Sequence, residues 1–149
     1  MSRRLLDAVA SLSANNPSLT ALDLKNANCR AEGTGMLAQA LKANSTLKYL
    51  DLRGNNIGDE GAHLIASALE SNSTLLYLGL GFNGIGAEGA GCLADALQQN
   101  STLLEIDLEY NQVSTQASRL QLQLQRNQCK RRPTPLSFSL SCTPTQPKY

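Results

Sequence analysis

The sequence predicts an α/β solenoid, a short arc with parallel strands on its concave face and helices on its convex face. Three observations predict it. Leu47, Leu50, Leu52, Asn55 and Ile57 return 28 residues later as Leu75, Leu78, Leu80, Asn83 and Ile85, and again as Leu103, Ile106, Leu108, Asn111 and Val113. Between these copies Gly61-Ala62-x-Leu64-Ile65-Ala66-x-Ala68-Leu69 matches Gly89-Ala90-x-Cys92-Leu93-Ala94-x-Ala96-Leu97, apolar at helical spacing. Neither block can bury its apolar stripe alone, so neighbouring units must stack.

The elements follow in order. Residues 3–14 carry Leu5, Leu6, Val9 and Leu12 at helical spacing, and Pro17 helps to stop that helix. Leu19, Leu22 and Leu24 open the first strand, whose ladder position holds Ala27 in place of Asn, with Cys29 where later units have Ile57. A helix over 33–43 presents Met36, Leu37, Ala40 and Leu41, and one over 61–71 presents Leu64, Ile65, Ala68 and Leu69. A further helix is expected over 89–99 and strands near 20–25, 48–53, 76–81 and 104–109. The run Leu120-Gln-Leu-Gln-Leu-Gln125 fits a strand by alternation. A polar closing helix is the reading adopted, because a terminal repeat needs a wet outer face. Residues 1–128 thus form one repeat domain, and 129–149, rich in Pro, Ser and Thr, are expected to be a disordered basic tail.

The arc follows from unequal spacings. Strands pair about 4.8 Å apart, whereas packed helices need about 8–10 Å. A stack with strands on one side and helices on the other must bend with the strands inside. Asn55, Asn83 and Asn111 leave each strand where an amide side chain can bond backbone groups that no strand partner reaches.

These residues resemble the ribonuclease-inhibitor-like class of leucine-rich repeats, which includes ribonuclease inhibitor, NOD-like receptor repeats, the Ran GTPase-activating protein and tropomodulin. The stretch from Asn55-Asn-Ile-Gly-Asp-Glu-Gly-Ala62 to Asn72-Ser-Thr-Leu75 looks most like the NOD-like receptor repeats. The resemblance covers about residues 5–127. It implies a leucine-rich repeat solenoid that serves as a scaffold for partners, and no ATPase or signalling role carries over with it.

Composition excludes several classes. Lys plus Arg is 13 against 12 acidic residues, so net charge singles out no nucleic acid or other partner. No apolar run approaches the roughly 18 residues of a membrane span, and the start lacks a convincing secretory signal, so a cytoplasmic location is expected, with a nuclear one open. The four cysteines are expected to be reduced thiols. Gly79-Leu-Gly81-Phe-Asn-Gly84 matches G-x-G-x-x-G, but aligned positions in the preceding repeat are Asp51, Arg53 and Asn56, so the glycines read as outward strand positions and a turn. Asn44-Ser-Thr, Asn72-Ser-Thr and Asn100-Ser-Thr are glycosylation sequons that recur at one helix-to-strand turn and read as helix stops. His63 has no ligand-spaced partner, and no catalytic triad, Cys–His pair or zinc cluster can be assembled. Neither a cofactor nor an enzyme activity is expected.

Aromatic placement carries the functional reading. Tyr49 and Tyr77 share one outward strand position and should be neighbours; Phe82 and Tyr110 share another just past the strand. Aromatics that a core does not need are candidate anchors for a partner. With them stand Asp51 and Arg53, then the acidic strand Glu105, Asp107 and Glu109, with a basic edge at Lys25 and Arg53 and two glycines, Gly79 and Gly81, between. The expectation is a non-catalytic protein-binding module whose concave face takes a protein with a basic surface. A GTPase-activating fragment and a truncated or spliced scaffold piece are the alternatives. The outer edge of the first strand would invite weak self-association.

Overall fold

A computed structural model describes residues 2–113 and 117–131. The order is α1 (Arg3–Ser13), β1 (Ala21–Asp23), α2 (Arg30–Ala43), β2 (Tyr49–Asp51), α3 (Gly58–Ser71), β3 (Tyr77–Gly79), α4 (Ala87–Gln99), β4 (Glu105–Asp107) and α5 (Ala117–Arg131). The strands form a parallel sheet in the order β1-β2-β3-β4. Its register is the sequence repeat itself, with Ala21 beside Tyr49, Tyr49 beside Tyr77 and Tyr77 beside Glu105. This is the expected leucine-rich repeat solenoid. Leu47, Leu50, Leu52, Leu75, Leu78, Leu80 and Leu103 face the helices and are buried.

The helical stripe differs from expectation at one register. Position 36 is exposed as Met36, and its equivalents Leu64 and Cys92 are only half-buried. The buried face turns instead toward Gly61, Ala62, Ile65, Ala66, Ala68 and Leu69 in α3, and toward the matching residues of α4. The tight register at Gly61 and Gly89 explains the shift. A methyl group on Gly89 would stand 2.6 Å from Asp59 Oδ1 and 2.9 Å from the Ala62 Cβ. Helix α1 keeps the buried register at Leu5 and Leu12, equivalent to Gly33 and Ala40, and departs from it at Leu6 and Ala8. It buries Leu5, Ala8 and Leu12 and leaves Leu6 exposed.

Two asparagine ladders hold the turns together. Asn83 donates its amide to the carbonyls of Leu52, Leu80 and Gly81 at 2.9, 3.0 and 3.2 Å and accepts the Asn55 N–H at 2.8 Å. Asn55 and Asn111 repeat the pattern, reaching back to the Leu24 and Leu80 carbonyls. The second ladder is made by the sequon asparagines. Asn72 donates to the Leu41 and Asn44 carbonyls at 2.8 and 3.1 Å and accepts the Thr74 and Leu75 N–H groups. Asn44, Asn72 and Asn100 are buried, so in the folded chain they are structural groups and not surface acceptors. Asn127, in α5, extends this ladder to the Asn100 and Leu103 carbonyls, a role the sequence reading missed.

The last helix reaches Arg131, three residues beyond the domain boundary expected at 128. Leu120 and Leu124 are buried while Gln121 is exposed and Gln125 half-buried, so the alternating run is helical, with Leu122 also left on the outward side. The remainder of the expected tail, from Arg132, lies outside the described residues.

The first-strand edge is capped at one point. The Asp23 carbonyl, which no earlier strand can reach, accepts the Arg4 guanidinium at 2.6 Å. At the other edge Gln128 of α5 donates to the Leu104 carbonyl at 2.8 Å. A side chain of each terminal helix thus satisfies one carbonyl that could otherwise template further pairing.

Candidate functional site

Strand alternation turns residues 49, 51 and 53 and their equivalents away from the helices. Tyr49 and Tyr77 lie side by side, ring centroids 4.3 Å apart and planes within 5°. Phe82 and Tyr110 stack likewise at 4.1 Å and 14°. Both pairs arise because the parallel register sets equivalent residues one strand apart, close to the spacing of stacked rings.

Asp51 departs from expectation. It sits on the outward face but has no exposed side-chain surface. Arg53 Nη2 lies 2.7 Å from Asp51 Oδ2 and Lys25 Nζ 3.2 Å from it, and the Tyr49 hydroxyl donates to the same oxygen at 3.2 Å. Burial works against the charge of this carboxyl. The hydrogen bonds from the Arg53 side chain and N–H and from Lys25 outweigh it and hold Asp51 below the usual carboxylate range. The same bond to Asp51 raises the Arg53 guanidinium above its ordinary value.

Gly79 and Gly81 make this arrangement possible. A methyl group on Gly79 would stand 3.0 Å from Asp51 Oδ1, and one on Gly81 3.3 Å from both Arg53 Cδ and Asp107 Oδ2. Arg53 therefore lies across β3 and reaches Asp107 Oδ2 at 3.5 Å. The middle of the face is roofed by Arg53, not bare, and the basic edge expected at Lys25 and Arg53 is already matched to internal carboxylates. Burial first, then the neighbouring Tyr49, pushes the Tyr77 phenol up to about 12.

Glu105 and Glu109 are exposed, whereas Asp107 is largely covered. The expected triple carboxylate is thus two exposed acids and one ion-paired acid. Phe82 and Tyr110, at 57% and 74% exposure, are the most exposed aromatic rings among the described residues. Beside Phe82 a shallow depression of about 370 Å³ is lined by Lys25, Asn26, Arg53, Gly54 and Phe82. The sequence placed all nine candidate residues on one side of the sheet. It missed Lys25 as a partner of Asp51, although the single Gly79, where the other units have Asp23, Asp51 and Asp107, was a signal that something occupies the space.

Among the described residues no group of three or more His, Cys, Asp or Glu side chains is placed to hold a metal ion. None of their helices is long and apolar enough to cross a membrane. The repeat fold matches known proteins. A family model described as the TMOD/LMOD leucine-rich domain matches residues 4–148. The chain belongs to this tropomodulin and leiomodin family. Among solved structures, leiomodin-1 actin-binding site 2 superposes with a TM-score of 0.64 at 21% identity, covering 83% of this chain and 89% of that one. The tropomodulin C-terminal domain of Caenorhabditis elegans gives 0.59 at 14% identity, covering 85% and 94%. At these identities the likeness establishes the shared fold. No curated protein sequence matches.

The tropomodulin/leiomodin match corrects the finer resemblance to NOD-like receptor repeats. The segment Asn55–Leu75 that suggested it encodes a strand exit, a turn and a packed helix, which any repeat of this geometry requires. Nor does the match favour a GTPase-activating role. Tropomodulin/leiomodin leucine-rich domains are non-catalytic, and the chain is a protein-interaction module, not an enzyme.

Proposed function

We propose that this chain is an actin-binding module of the cytoplasm that docks on its partner through the concave face and its adjoining rim. The match to the tropomodulin/leiomodin domain over residues 4–148 carries this reading, and the fold shared with leiomodin-1 actin-binding site 2 supports it. The contact residues on this chain are Tyr77, Phe82, Glu105, Glu109 and Tyr110, which the strands and turns present outward. Tyr49 stands beside Tyr77, and Asp51, Arg53 and Asp107 support the face. The Arg53 ion pairs with Asp51 and Asp107 and the Tyr49 hydrogen bond to Asp51 set the shape of the face before binding.

The test is co-sedimentation with filamentous actin and binding to monomeric actin. The wild-type chain should bind at least one form, and the combined Phe82→Asn, Tyr110→Asn and Glu105→Lys variant should lose roughly tenfold or more in affinity, as anchor residues do. A wild-type chain that binds neither form would remove the actin assignment.

A further inference from the structure

Phe82 and Tyr110 occupy the repeat position held earlier by Asn26 and Gly54. All four have left-handed backbone, with φ of 52° at Asn26, 69° at Gly54, 55° at Phe82 and 56° at Tyr110. Asn and Gly adopt this region readily, whereas a bulky aromatic residue does so against steric resistance. The same two residues leave more than half of their surface in water. The chain therefore keeps two aromatic rings where both folding and solubility favour small or polar residues, and such outliers point to function.

The rings form a two-layer platform with unequal sides. Phe82 borders the depression lined by Lys25 and Arg53, whose charges are taken up by Asp51 and Asp107. Tyr110 is covered by Phe82 on one face and is 74% exposed. Next to it Glu109 is exposed, as is Glu105 on the same strand, and no ion pair to either is present among the described residues. The uncompensated charge at the open end of the platform is negative.

We propose that this platform receives an arginine side chain from a basic loop of the partner, its guanidinium stacked on the free face of Tyr110 and paired with the Glu109 carboxylate. An aromatic face attracts a cation, and a planar guanidinium can stack on the ring while its edge donates to a carboxylate. A lysine ammonium makes the second contact without the first to the same extent. The inference rests on the concave rim being the docking surface and adds the chemistry of what it grips.

The probe is the peptide Gly-Arg-Gly-Arg-Gly titrated into the whole chain by NMR, with Gly-Lys-Gly-Lys-Gly as comparison. The arginine peptide should shift the Tyr110 ring and Glu109 resonances and bind several-fold more tightly than the lysine peptide. Tyr110→Asn should weaken it by tenfold or more while the melting temperature holds or rises, and Glu109→Gln should weaken it several-fold. Equal binding of both peptides, undiminished binding by Tyr110→Asn, or a lower melting temperature for that variant would overturn the proposal. Actin binding is measured in parallel. Loss of actin binding in the wild type with the peptide response intact removes only the actin assignment. Actin binding unaffected by Tyr110→Asn removes only the platform.

Discussion

Asn83 and Ala27 occupy equivalent places in the repeat, yet one is a buried amide with four hydrogen bonds and the other a buried methyl group. The difference lies in what stands one strand earlier. Each ladder asparagine reaches back to a carbonyl of the preceding strand: Asn55 to Leu24, Asn83 to Leu52 and Asn111 to Leu80. Position 27 has no preceding strand among the described residues, so an amide there would enter the core with part of its capacity unmet. The interior of the stack is held by polar side chains and its first unit by apolar ones, for the same reason.

The comparison breaks first at its centre. Asn83→Ala should cost about 3 kcal/mol, since it strands buried carbonyls and the Asn55 N–H, whereas Asn111→Ala, at a half-buried site, should cost about 1 kcal/mol. Urea denaturation compares them, and equal losses would show that ladder position does not matter. A second contrast lies within α4. Gly89→Ala forces a methyl group against Asp59 and Ala62 and should cost about 2 kcal/mol. Gly91→Ala meets nothing within 4 Å and should stabilise by about 0.5 kcal/mol.

Asp51 is held below its ordinary value of 3.8, so its charge interactions contribute full stability above that pH, and the contribution fades as pH falls toward the lower folded value. Asp51→Asn should lower stability near pH 7 and flatten the decline below pH ~4, read from melting temperatures across pH. An unchanged acid slope would mean that other carboxyls govern it. The smallest effects belong to the first unit. Ala27→Asn should destabilise by about 1 kcal/mol, and Arg4→Ala, whose exposed ion pair with Asp23 is weak, by no more than about 0.5 kcal/mol.

Most of the fold was legible because a repeat encodes its own register: once 28 residues separate Leu50 from Leu78, pairing Tyr49 with Tyr77 leaves no freedom. The stacked rings followed from that alone. The burial of Asp51 was not legible, because strand alternation decides only which side a residue faces. What covers it comes from Tyr49 and Arg53 on its own strand, Lys25 one strand back and the missing side chain at Gly79 one strand ahead. The helix register at Met36 and Leu64 was missed because apolar identity does not distinguish the middle of a packed face from its border. Asn127 escaped notice since it stands 27 residues after Asn100, one short of the repeat.

The second ladder has a consequence for where this chain can be made. Its three Asn-Ser-Thr tripeptides would each be a substrate for sugar transfer if the nascent chain entered a secretory compartment. A glycan on Asn72 would take one of the two amide hydrogens that bond the Leu41 and Asn44 carbonyls and would force a sugar into the interior. Such a chain could not close its middle units, so routing it through that compartment should yield misfolded glycoprotein, and mutating Thr46, Thr74 and Thr102 to abolish transfer should restore folding.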